Sequence, residues 1–194
     1  MSALHFSVDL ETMSIASNAA IASIGIVPFD NDMVYTQEAF YVKVNWQEQE
    51  GSDIMSSTVA WWMEQDEEAR KEITSKHDRV ILRQALINFY DYIEIQKGLR
   101  PDVDSAYFWG NGAGFDFPIL ENAFARESLV FPFRYNQSMC FRTLRTQMPD
   151  DTRELIDSQV AAHTYGTKHN ALDDAIWQAQ WLVAGAKHGV VQFR

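Results

Sequence analysis

Two carboxylates two residues apart, Asp9 and Glu11, close a strand-like, largely apolar run over residues 4–8. Side chains two apart on a strand project from the same face, so both acids stand together at the end of a buried strand and can grip cations jointly. Three further ionisable residues complete a constellation. Asp116 lies in Asn111-Gly112-Ala113-Gly114-Phe115-Asp116, just after the strand-like stretch 106–109, where a loop and a new helix can aim it back at the first pair. His169 and Asp174 open the strongest helical pattern in the chain, His169-Asn170-Ala171-Leu172-Asp173-Asp174-Ala175.

The residue types suit one chemistry. Hard divalent cations such as Mg2+ take oxygen ligands, hence carboxylates. Two Mg2+ or Mn2+ ions about 3.5–4 Å apart can stabilise the attacking and the leaving oxygen of a phosphodiester displacement. Asp9, Glu11, Asp116 and Asp174 are the candidate ligands. His169, with an ordinary pKa of roughly 6.5, is the candidate base for the attacking water. Each signal has a plainer reading: Asp-x-Glu occurs often on surface strands, and the glycines around Asn111 invite comparison with a phosphate loop. Their spacing does not continue as a dinucleotide fingerprint, and a turn needing unusual backbone angles before Asp116 is the better reading.

In this order the motifs resemble those of DEDDh-type 3'→5' exonucleases of the DnaQ-like, ribonuclease H-like superfamily. The resemblance rests on Asp9-Leu10-Glu11, on Asn111 with Phe115-Asp116, and on His169-x-Ala171-x-x-Asp174-Ala175, a span covering nearly the whole chain. It implies a mixed five-stranded α/β sheet with antiparallel first three strands, flanked by helices. It also implies two divalent cations, and Asp174 as the ligand in place of the adjacent Asp173. Asp173 reads as a solvated or dipole-favoured carboxylate in the first helical turn, or as a neighbour of the ligands. A narrower likeness, in residues 57–71 with Trp61-Trp62 and in residues 115–120, is to phage exonuclease A proteins and a bacterial 3'→5' exoribonuclease family. The phage-type likeness favours DNA over RNA, although no residue reports contact with a 2'-hydroxyl.

Candidate substrate contacts are Thr12 and Met13, with Ile15, after the first acidic pair; Asn111 and Phe115 before Asp116; Trp61 and Trp62; and the cations Arg142 and Lys168. An aromatic ring can stack a terminal base, worth about 1–3 kcal/mol. Adjacent helical residues point about 100° apart, so one of the two tryptophans is expected in the core. Arg134 and Arg145 are further cations whose plainer reading is an ordinary surface charge.

The 194 residues, 46% of them hydrophobic, suit one catalytic domain spanning 1–194. A net charge of −11 disfavours a tight binder of long nucleic acid, which would present a basic surface. It fits an enzyme that holds a few nucleotides beside cation-neutralised carboxylates. No apolar run approaches the roughly 20 residues of a membrane span, no signal peptide is expected, and the lone Cys140 fits a reducing compartment. A cytoplasmic protein is the expectation, and the aromatic content makes a homodimer plausible.

Strands are expected over residues 3–9, 20–29, 39–45 and 106–109, with a fifth within 131–139. Helices are expected over 59–73, 80–96, 117–127, from 142, and over 171–187. In the last, Leu172, Ala175, Ile176, Ala179, Leu182, Val183 and Ala186 form an apolar stripe. The expected activity is hydrolysis of a single strand from its 3' end to nucleoside 5'-monophosphates. Alternatives are an exoribonuclease, an oligonucleotide-clearing enzyme and a catalytically silent nucleic-acid-binding module.

Overall fold

The computed structural model describes residues 3–103, 105–161 and 166–193. Its centre is a sheet whose longest strands, β1 (Leu4–Thr12) and β2 (Ile21–Phe29), are buried almost throughout. They run antiparallel, with Asp9 paired to Gly25 and Glu11 to Ser23. β3 (Phe40–Val44) continues the antiparallel set, and β5 (Ala106–Gly110) lies parallel to β1 on its other side. Two short parallel strands finish the edges, β4 (Arg79–Val80) beside β3 and β6 (Ser138–Cys140) beside β5. The order is β4-β3-β2-β1-β5-β6, six strands where the sequence led to five. The additional one is β4, too short to show an alternation pattern and lying at the edge of the residues expected to start a helix.

The period of two in β1 divides the molecule into layers. Leu4, Phe6, Val8 and Leu10 enter a core shared with α3 (Leu82–Gly98) and α4 (Asp116–Arg126). His5, Ser7, Asp9 and Glu11 alternate with these, so they occupy the opposite face. That face is covered by α7 (Ala171–Lys187), which packs through Ala175, Ala179, Trp181, Leu182 and Val183 against Val27, Phe29 and Trp109. α5 (Phe141–Thr146) and α6 (Asp150–Ala161) add Phe141, Ile156 and Val160 to the same core.

A third apolar cluster lies beneath a helical pair. The continuous helix expected over 59–73 is two helices, α1 (Ser56–Glu64) and α2 (Glu67–Thr74). Gln65 and Asp66 between them are extended, and the Asp66 carboxylate caps α2 by accepting from the Ala69 N–H at 2.9 Å. Glu67 and Glu68 in the first turn complement its dipole. The break turns α2 so that Glu72 and Ile73 are buried. Ile73 then joins Met13, Ala20, Ala22 and Trp62. Among the described residues, no helix is long and apolar enough to cross a membrane.

Candidate active site

The acidic end of β1 opens into a cleft of about 700 Å3. Asp9, Glu11, Asn111, Phe115, Arg142, Lys168, His169 and Asp174 line it, with Trp61, Trp177 and Gln178. Residues from five parts of the sequence meet here because two glycines allow close approach. A Cβ on Gly25 would lie 2.3 Å from the backbone carbon and oxygen of Ala171, so the first turn of α7 can rest on the sheet only where β2 carries no side chain. A Cβ on Gly110 would lie 2.8 Å from Oδ2 of Asp116.

Asp116 is only 2% exposed and begins α4 after a turn in which the Phe115 N–H donates to the Gly112 carbonyl at 2.6 Å. Gly112 has φ +119°, the unusual geometry expected of this loop. Oδ2 of Asp116 has no hydrogen-bond partner among the described residues. Burial raises its pKa to about 7, against the lowering effect of the Leu10 N–H and the Arg142 charge.

Asp9 accepts a 2.9 Å hydrogen bond from Nε2 of Gln178. Burial, then the charges of Asp116, Glu11 and Asp174, raise the Asp9 carboxyl well above its ordinary range. Burial, followed by Asp174, Glu72 and Asp116, does the same to Glu11. The pKa of Asp174 is pushed up to about 6, chiefly by burial. Ligand atoms of Glu11, His169 and Asp174 lie within 4.8 Å of one another, the geometry of a potential cation site. Crowded carboxylates and an unpartnered buried oxygen are the donor set that a hard cation fits.

The adjacent aspartates of α7 face different partners. Oδ2 of Asp174 accepts from the His169 N–H at 3.1 Å, and Oδ2 of Asp173 accepts from the Thr167 N–H at 2.8 Å. Asp173 lies in the first turn of α7 at the edge of the cleft, where it ties the preceding loop to the helix. Asn170 caps α7 by accepting from the N–H groups of Leu172 and Asp173, each at 3.1 Å. His169 has φ +65°, an uncommon conformation for a side-chain-bearing residue. Its ring meets the Trp61 ring edge-on at 4.8 Å. Burial, then the charge of Lys168, lowers its pKa.

The structure separates the candidate contacts. Trp61 is 40% exposed at the cleft whereas Trp62 is 1% exposed, its indole N–H donating to the Thr12 carbonyl at 3.0 Å. Met13 is fully buried against Trp62, which corrects the expectation that its side chain borders the substrate. Thr12 is also buried, its hydroxyl donating to the Ser14 carbonyl at 2.8 Å, and Ile15 is exposed without lining the cleft. Arg142 reaches the cleft and donates to the Asn111 carbonyl at 2.8 Å. Arg145 turns instead to Asp157 at 2.6 Å, and Arg134 lies away from the cleft. Gln178 and Trp177 were missed. Their signal was position, four and three residues after Asp174 on one helical surface.

A family model described as the 3'-5' exoribonuclease Rv2179c-like domain matches residues 4–185. The chain belongs to this family. It is 31% identical over 123 residues to the exodeoxyribonuclease of Enterobacteria phage T4, a match spanning 59% of this chain and 53% of that protein. The chain therefore spans about half the length of that curated relative. Its fold is similar to the nuclease domain of 3'hExo, a DEDDh family member bound to rAMP, with TM-score 0.65, 11% identity and coverage of 100% and 96% of the two chains. It is also similar to Pop2p of S. pombe in its Mg2+- and Mn2+-bound form, with TM-score 0.58, 14% identity and coverage of 93% and 82%. The DEDDh motifs are all present, and the mixed sheet with antiparallel first strands is the ribonuclease H-like arrangement.

Proposed function

We propose that residues 1–194 form one metal-dependent 3'→5' exonuclease domain that releases nucleoside 5'-monophosphates from single-stranded DNA or a 3' overhang. The observation that carries this is the meeting of Glu11, His169 and Asp174 within 4.8 Å, beside Asp9 and Asp116. Asp9, Glu11, Asp116 and Asp174 would hold two Mg2+ or Mn2+ ions. When bound, such ions supply Lewis-acid stabilisation of the attacking and leaving oxygens.

The chain's own groups do the rest. His169, held neutral by burial, receives the proton of the attacking water. Arg142 and Lys168 border the cleft as phosphate contacts, and Trp61 and Phe115 offer ring faces for terminal bases. The net charge of −11 restricts binding to a short terminal segment. DNA is favoured by the 31% identity to an exodeoxyribonuclease. A second reading, an exoribonuclease, is favoured by the description of the family model.

The test is digestion of matched 3'- and 5'-labelled single-stranded DNA and RNA with Mg2+, Mn2+ or EDTA, with Asp9→Ala as control. Metal-dependent shortening from the 3' end, lost in the variant, is expected, faster on DNA. Faster RNA shortening selects the second reading, and no shortening of either polymer rejects both.

A further inference from the structure

Another buried carboxylate stands behind the cleft without lining it. Glu72 of α2 is 3% exposed. Among the described residues its carboxylate has no cation within ion-pair distance. Three neutral donors satisfy it: the Ser23 hydroxyl at 2.7 Å, the Tyr41 hydroxyl at 2.8 Å and Nδ2 of Asn170 at 2.6 Å. Both carboxylate oxygens are engaged, Oε2 by Ser23 and Tyr41 and Oε1 by Tyr41 and Asn170. Burying a carboxylate without a cation is costly, so such a group calls for a reason beyond packing.

The three donors come from β2, β3 and the cap of α7. Asn170 spends its other end on the cap, accepting from the Leu172 and Asp173 N–H groups. Its backbone carbonyl receives the Asp174 N–H at 2.9 Å. Ser23 is the strand partner of Glu11. Arg79 stabilises the far side, donating to the Val44 carbonyl at 2.7 Å and to the backbone of Glu72 itself.

We infer that Glu72 is a positioning residue: its carboxylate clamps Asn170, seats the first turn of α7, and so holds His169 and Asp174 beside Glu11 for cation binding. Its charge reinforces the effect, adding negative potential at both Glu11 and Asp174. Outer groups that orient metal ligands typically change metal affinity about 10–100-fold when removed. The inference rests on the cation reading of the cleft given above.

The test is calorimetric titration of the full chain with Mn2+, without nucleic acid, on wild type, Asp9→Asn, Glu72→Gln and Tyr41→Phe, with thermal melts of each. Glu72→Gln is expected to fold and bind Mn2+ about tenfold more weakly, and to need correspondingly more Mg2+ for turnover. Tyr41→Phe, which keeps the ring and removes one donor, is expected to weaken Mn2+ about threefold or more. Wild-type Mn2+ affinity in folded Glu72→Gln overturns the inference, even where its melting temperature falls. If that variant does not fold, Tyr41→Phe decides, with wild-type affinity overturning the inference. Absence of Mn2+ binding by wild type itself defeats the cation reading, and the inference with it. Binding that is lost in Asp9→Asn but unchanged by the other variants defeats the Glu72 assignment alone.

Discussion

His5 shows how one residue can carry an acid sensitivity unrelated to the cleft. Its Nδ1 faces the Trp109 indole N–H at 3.0 Å. That nitrogen must accept, so protonating it breaks the contact. Burial holds the imidazole near pKa 4, against an ordinary value of 6.5. Above pH 6.5 both folded and unfolded chains carry a neutral ring, and the contribution to stability is full. As pH falls from 6.5 to about 4 the unfolded chain takes up a proton that the folded chain resists, and the contribution is lost. The loss approaches roughly 3 kcal/mol at the bottom of the window. Urea unfolding of wild type and His5→Phe across this range checks it: the stability difference should shrink as pH falls, whereas a constant difference would exclude His5. The carboxylates of the cleft, with raised pKa values, act in the opposite direction and are common to both proteins. At the cleft, His169→Ala should lose at least a hundredfold in turnover, in line with general acid–base contributions of about 10²–10⁴, while still binding Mn2+. Comparable turnover across pH 6–9 would remove it as the base.

At the scale of elements, the joint between β2 and α7 matters most. Gly25→Ala would press a methyl group into the backbone of Ala171, which cannot rotate away as a side chain could. We expect a loss of about 3 kcal/mol, the upper end of ordinary overpacking, together with weaker Mn2+ binding because Asp174 moves with the helix. Unfolding curves and calorimetry read the two effects separately. The α1–α2 joint is gentler. Asp66→Ala removes the cap on Ala69 and should cost about 1 kcal/mol. Losses below measurement there would mean that packing of Trp62 and Ile73 alone sets the break. Element identity was largely readable in the sequence, since β1, β2, β3, β5, α4 and α7 follow from period and flanking residues. The α1–α2 break carried its own signal in Asp66-Glu67-Glu68, an acidic helix start set within a run of polar residues that are all compatible with a continuous helix. α6 was not expected because its core contribution is only Ile156 and Val160.

For the molecule as a whole, the fold buries carboxylates side by side: burial first, and neighbouring negative charge second, raise the pKa values of Asp9, Glu11 and Asp174, and burial raises that of Asp116. A ligand that binds the folded state alone stabilises it by mass action, about 2.7 kcal/mol at one hundred times its dissociation constant. Mn2+ should therefore raise the unfolding free energy of wild type by that amount at that concentration. Asp9→Asn combined with Asp116→Asn should be more stable than wild type without cations and insensitive to them. Equal Mn2+ stabilisation of both proteins would place the binding elsewhere.

The sequence by itself determined which residues are the candidate ligands and base: Asp9 and Glu11 share a face because a strand repeats every two residues, and the motif order marked Asp116, His169 and Asp174. It also determined the buried strands, whose apolar runs require covering layers. Only the tertiary structure decided which neighbours act with them. Trp61 and Trp62 are adjacent in the chain, yet one faces the cleft and the other the core, a division set by the docking angle of α1. Met13 lost its expected place for the same reason, since the chain after β1 turns under Trp62. Glu72, Gly25 and Asn170 lie far apart in sequence, and no local pattern links them. Their association follows from the close approach of α7 to the sheet, a property of packing that no single segment encodes.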